Sequence, residues 1–340
     1  MGLLINERGA TRISIVRIPL IYTGVVCFLS GSLHVSQAGT IRHDVADSFY
    51  TSLAQQSVYD SVGFLTWSIG SIGYMASGTL IAPDWVLTAG HVVGGTDDYG
   101  AGVSGMIFGR GPTYSGIGIT ATEWIPYGGW SSSAGNLWAG VDLGLVHLSQ
   151  AITDVAPAQM DFSTSLLGLR GTSVGYGRSG TGLTGMNTNH GTKRAGQNLI
   201  DAQGGMSPTM GDGRSLILSG ISPTVLFYDF DKPPESVLSS MGSTAPVALE
   251  YLIGSGDSGG ALFIEVDGMT KLVGVNSFLA SLPYPLDTTG PSGDYGDLAG
   301  VVSVQSFGNW IYEVTGVPEP SALSLLLLGL SGLAMVRRRK

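Results

Sequence analysis

Cysteine is almost missing from this 340-residue chain: the single one, Cys27, lies in an apolar N-terminal stretch, so no disulfide can brace the remainder. Val26 precedes it rather than a small residue, which argues against a lipoprotein anchor there. Charge is scarce, at 12% of residues, and basic charge is scarcer: 16 Lys and Arg face 25 Asp and Glu, for a formal net charge of −9. With no basic stripe either, a nucleic-acid partner is excluded. Only 5 histidines are present. His43, His147 and His190 show no metal-ligand spacing and read as surface residues, and His34 falls in the N-terminal stretch, so neither a metal nor a cofactor is expected. There are no internal repeats, which removes the case for a structural matrix or adhesion protein. No amphipathic helix pattern occurs before residues 307–314.

What is abundant is glycine, 53 residues, on an apolar share of 43% that argues against disorder. Short apolar stretches alternate with glycine-rich turns from residue 62 onward. Candidate strands are 62–67, 77–82, 85–89, 141–148, 171–175, 215–218, 261–266 and 271–276, with Pro83-Asp84 marking a turn. This is an all-β pattern, a sandwich or barrels. Residues 175–212 are rich in Gly, Thr, Asn and Ser and read as a long surface excursion with one strand near 198–201. Asp229, Asp231 and Glu235 read as a solvated polar loop rather than a calcium site.

The two ends differ from the body. Arg8, Arg12 and Arg17 precede an apolar run at 18–33, and Ser36-Gln37-Ala38 offers small residues for cleavage. Residues 1–38 therefore read as an export signal cut near Ala38–Gly39, the run being short for a membrane anchor. At the other end, Val317-Pro318-Glu319-Pro320 leads into an uncharged apolar run at 322–336 and then Arg337-Arg338-Arg339-Lys340. Proline breaks regular structure before the run, and the basic cluster favours retention on the cytoplasmic side of a membrane. Residues 317–340 thus read as a sorting or transient membrane segment, with residues 39–316 as the folded body.

The body is organised around Gly254-Ser255-Gly256-Asp257-Ser258-Gly259-Gly260. Such glycines permit a tight loop that exposes one hydroxyl and turns backbone N–H groups toward one point, as an oxyanion hole needs. A serine hydroxyl needs a base, and the base an orienting carboxylate. Leu87-Thr88-Ala89-Gly90-His91 and Val141-Asp142-Leu143-Gly144 supply candidates, Asp142 following His91 by 51 residues and Ser258 following Asp142 by 116.

These three motifs, in this order, resemble those of the trypsin/chymotrypsin-like serine peptidases. Gly175-Tyr176-Gly177, residues 273–278 and Asn309-Trp310-Ile311 resemble further family features. The resemblance implies two six-stranded antiparallel β-barrels, at about 60–160 and 165–316, with a short C-terminal helix. It implies a serine endopeptidase with polypeptide substrates, His91, Asp142 and Ser258 as catalytic residues, and the N–H groups of Gly256 and Ser258 as the oxyanion hole. It also implies that Asp257 pairs with a freed amine, here that of Gly39 or Ile41. Leu252, Ser277 and Leu279 fall at the substrate pocket. Leu252 puts no acid at its floor, though a shift of register would admit Glu250. Val92 and Ala261 replace the family's usual Cys and Pro. The C-terminal segment resembles the PEP-CTERM sorting signal of Gram-negative bacteria, which implies handling by an exosortase and delivery to the envelope or outside. The alternative function is a catalytically silent protease-fold binding protein at the cell surface.

Overall fold

The computed structural model describes residues 3–5, 10–13, 39–95, 102–210, 213, 215–234, 241–242, 245–281 and 292–317. The apolar runs at 18–33 and 322–336 lie outside them, and among the described residues no helix is long and apolar enough to cross a membrane.

Val62–Ile69 (β1), Ile72–Ala82 (β2), Trp85–Thr88 (β3), Val103–Gly109 (β4), Ile119–Pro126 (β5) and Gly144–Leu148 (β6) close into a barrel in the order β1-β2-β3-β6-β5-β4. Two-residue turns at Gly70-Ser71 and Pro83-Asp84 set the antiparallel register of β1, β2 and β3. Phe64, Leu80, Val86, Phe108 and Leu145 are buried in its core. β4 and β5, unmarked in the sequence pattern, complete the ring.

Arg170–Gly175 (β7), Arg194–Leu199 (β8), Val225–Asp229 (β9), Ala261–Val266 (β10), Met269–Ser281 (β11) and Asp297–Ser303 (β12) form a seven-stranded sheet in the order β8-β7-β10-β11-β12-β9, with Ala202–Gln203 as its last strand. The expected second six-stranded barrel is therefore present in altered form. The sheet's two edges, β8 and Ala202–Gln203, are halves of one stretch of chain that bends at Ile200-Asp201. Ile200 N–H reaches Leu169 O at 2.9 Å on one side, and Asp201 N–H reaches Phe227 O at 3.0 Å on the other. The bend, rather than an unbroken ladder, brings the edges together. Along β9 the side chains alternate, Leu226 and Tyr228 joining one apolar cluster and Val225 and Phe227 another under Trp138.

Residues 175–212 are a surface excursion only in part, because they contain β8, with Arg194, Ala195 and Asn198 buried and Lys193 buried just before it. Arg194 is tolerated there because Asp47 grips it bidentately, Nε to Oδ1 at 2.5 Å and Nη2 to Oδ2 at 2.7 Å. Asp47 opens the helix Asp47–Ala54 (α1), which the sequence pattern did not reveal. Upstream, Gly39–Ile41 is a buried strand inserted parallel to Ser179–Thr181 and antiparallel to Tyr251–Leu252.

One core cluster joins the rings, packing Val174, Tyr176, Phe263 and Val275 of the second against residues of the first. The C-terminal helix, Gly308–Thr315 (α2), adds Ile311. Tyr127 meets Phe307 and Trp310 edge-on, with centroids 5.0 and 5.1 Å apart, pairs worth about 0.5–1.5 kcal/mol each beyond area burial.

Asp47→Ala leaves the Arg194 guanidinium buried without its counter-charge, and is expected to lower unfolding stability by about 3–5 kcal/mol. Urea denaturation followed by tryptophan fluorescence measures this, and Asp47→Asn is expected to lie between the variant and the parent.

Candidate active site

β3 ends at Thr88, and the chain turns at once into the short helix Gly90–Val93, which carries His91. Asp142 precedes β6, the strand paired with β3, so the two residues meet because their strands are neighbours. Asp142 is 0% exposed, and both of its oxygens are taken. Oδ1 accepts the backbone N–H of His91 at 2.8 Å. Oδ2 accepts His91 Nδ1 at 2.8 Å and Ser277 Oγ at 2.5 Å. An ionised carboxylate in contact with Nδ1 places the ring proton there and leaves Nε2 to exchange protons. Burial opposes the imidazolium, but the charge and hydrogen bond of Asp142 outweigh it, so the His91 pKa is raised above its usual 6.5.

Ser258 sits in a loop whose backbone donors are unevenly used. Asp257 N–H reaches Gly254 O at 2.9 Å, Gly259 N–H reaches Asn276 O at 2.8 Å, and Gly260 N–H reaches Asp257 O at 2.8 Å. Among the described residues nothing accepts from the N–H groups of Gly256 or Ser258, the pair named by the resemblance. Gly259 presses this loop against the strand leading to His91. A Cβ there would stand 1.9 Å from Thr88 Oγ1 and 3.0 Å from Ala89 N, and its φ of +80° also favours glycine. The N–H of Ser77 on β2 donates to Ser258 O at 2.9 Å. Among the described residues no hydrogen bond within 3.5 Å joins Ser258 Oγ to His91; such bonds commonly tighten only when substrate is bound.

Asp257 is wholly buried. Gly177 N–H donates to Oδ1 at 2.8 Å, while Gly254 N–H at 2.7 Å and Tyr251 OH at 3.0 Å donate to Oδ2. The chain thus supplies three donors without the expected freed amine. Gly39 lies against this group nonetheless, because a Cβ on it would stand 1.9 Å from Tyr251 Oη. Burial pushes the Asp257 pKa up to about 6 against the pull of these donors.

Leu252 is fully buried and pairs with Thr40, and Leu279 packs against the same apolar cluster. Ser277 spends its hydroxyl on Asp142. Asp229 and Asp231 are buried rather than solvated, and so is Glu250; Glu235 lies outside the described residues. Among the described residues no three His, Cys, Asp or Glu side chains are arranged to hold a metal. Tyr251 and Ser77 went unnoticed in the sequence, where the only signal was a polar group at a buried strand position.

Two β-barrel-like halves, with His91 and Asp142 on the first and Ser258 on the second, define a protein of the trypsin-like serine protease fold. The family model described as Trypsin matches residues 52–210, a range that includes His91 and Asp142 and ends before Ser258. The last residues, 316–340, match the PEP-CTERM protein-sorting motif. That motif marks an exported protein sorted to the cell envelope of Gram-negative bacteria through exosortase-type processing. Among solved structures the chain is similar to an HL collagenase, at 17% identity and a TM-score of 0.52 over 83% of this chain and 99% of that one. It is also similar to a Glu endopeptidase, at 16% identity and a TM-score of 0.47 over 77% and 95%. No curated protein matches it.

Burial raises the pKa of Glu250 to about 9 and, together with Asp231 and Asp201, that of Asp229 well above its usual value. The folded chain therefore keeps protons that the unfolded chain, with carboxyl values near 4, releases. Stability is expected to fall as pH rises from about 5 to about 9, and Glu250→Gln is expected to flatten that slope in thermal melts across the range.

Proposed function

We propose that the protein is an exported serine endopeptidase that hydrolyses peptide bonds through His91, Asp142 and Ser258 by way of an acyl-enzyme. The observation carrying this reading is a histidine oriented by a buried carboxylate, together with a Ser258 loop in which, among the described residues, two backbone N–H groups have no acceptor. In this reading Ser258 Oγ attacks the scissile carbonyl while His91 Nε2 takes its proton. The N–H groups of Gly256 and Ser258 stabilise the tetrahedral oxyanion. His91 then protonates the leaving amine, and the same steps with water release the acyl group. Asp142 remains ionised throughout and stabilises the imidazolium.

Residues 1–38 serve as the export signal, 39–316 as the peptidase domain, and 317–340 as the sorting segment, with transient membrane association before exosortase acts. In this reading Leu252, Ser277 and Leu279 fall at the substrate pocket, and Leu252 in place of an acid argues against a preference for Arg or Lys.

A fluorophosphonate probe is expected to label the full chain and not its Ser258→Ala variant, with hydrolysis of casein falling by about 10⁴- to 10⁶-fold in the variant. Equal turnover in both forms overturns the reading. A folded chain whose Ser258 does not label is either the silent binding protein or a zymogen, and labelling gained when the N-terminus is trimmed to Ile41 marks the zymogen.

His91 acts as a base only when neutral, and its pKa is raised, so kcat/KM is expected to fall as pH drops through a value above 6.5. Asp142→Asn removes the raising charge. It is expected to move that acid limb downward and to lower kcat by about 10⁴-fold, as a pH–rate profile measures.

A further inference from the structure

Ser77 is wholly buried on β2 of the first ring, yet most of its polar bonds cross to the second. Its Oγ accepts the N–H of Tyr176 at 2.9 Å and donates to the carbonyl of Gly256 at 2.9 Å. Its backbone N–H holds Ser258 O at 2.9 Å, while its own carbonyl accepts Thr88 Oγ1 at 2.8 Å. With one lone pair committed to Tyr176, the hydroxyl proton has a single target, Gly256 O.

Gly256 is the weakest point of the oxyanion loop. It has no side chain, its φ is +98°, and its N–H makes no bond of its own among the described residues. Nothing in its conformational preferences keeps that N–H aimed at the reacting carbonyl. Its carbonyl accepts, among the described residues, only from Ser77 Oγ. Ser255 before it is exposed, its N–H resting on the thioether of Met186 at 3.2 Å. The peptide that carries the Gly256 N–H is held on one side through its Ser255 carbonyl, which accepts from Arg178 N–H at 2.7 Å, and the peptide that follows is held through the Gly256 carbonyl by Ser77.

We propose that Ser77 is a positioning residue whose hydroxyl fixes the Gly256 carbonyl from across the ring interface and, with Arg178 anchoring the preceding peptide, keeps the two rotatable bonds of Gly256 in the setting that presents the oxyanion-binding N–H groups. This rests on the peptidase reading and names a residue on which its rate depends without touching substrate.

The test compares full-length wild type with Ser77→Ala, both titrated for active sites with a fluorophosphonate. Expected is a fall of about 10- to 100-fold in kcat per titrated site, with KM within about threefold, because an oxyanion donor acts on the transition state. Affinity for a peptide aldehyde, which forms a tetrahedral adduct, is expected to fall by the same factor. An unchanged kcat per titrated site, even with a lowered melting temperature, overturns the proposal and makes Ser77 a packing residue. If Ser77→Ala does not fold, Ser77→Cys retains a weak donor of similar shape. A partial loss of kcat then supports the role, and wild-type kcat overturns it. A wild type that neither labels nor hydrolyses overturns the peptidase reading and this role with it, whereas a labelled wild type matched by its variant overturns this role alone.

Discussion

Asp142 is a wholly buried carboxylate, and the geometry on both sides of the interface depends on how it is satisfied. Its three donors are the His91 backbone, the His91 ring and the hydroxyl of Ser277. Hydrogen bonds to a charged group are worth about 1.5–3 kcal/mol each, and a buried charge lacking them is expelled or neutralised. Two of the donors belong to the first ring and one to β11 of the second. The need to solvate one ion therefore fixes the imidazole and locks the rings in register.

The same logic recurs at Asp257, where Gly177, Gly254 and Tyr251 converge on a second buried carboxylate. Here the outcome is loop shape. The donors draw Gly254 and Gly177 inward, and among the described residues the N–H groups of Gly256 and Ser258 in the loop are left without acceptors. Gly39 packs on the Tyr251 hydroxyl, so the first residue after the N-terminal stretch belongs to this network sterically although Asp257 does not require it.

Much of this was legible in the sequence because short motifs carry local geometry. The run from Leu87 to His91 declares a strand followed by a turn, and the glycines around Ser258 declare a loop that side chains would obstruct. Other features depend on partners far along the chain. Arg194 reads as a surface residue until Asp47, 147 residues earlier, is seen to enclose it. α1 escaped notice because Asp-Ser-Phe-Tyr-Thr-Ser has weak helix propensity, and its fully buried residues are just Tyr50 and Ala54, one turn apart. Asp229 and Asp231 look like a polar loop because composition cannot distinguish a solvated carboxylate from a buried one. The second ring's closure was equally hidden, since a bend at Ile200-Asp201 leaves no mark in the apolar pattern.

The division of the site between the rings has a consequence for the life of the chain. Synthesis proceeds from the N-terminus, so His91 and Asp142 exist in a finished first ring before Ser258 has been made. When the Ser258 loop does appear, two of its carbonyls have no anchor until β2 comes to lie against them. On the proposed reading, docking of the halves is the event that brings the three residues into one site, and a nascent or half-folded copy holds only part of it.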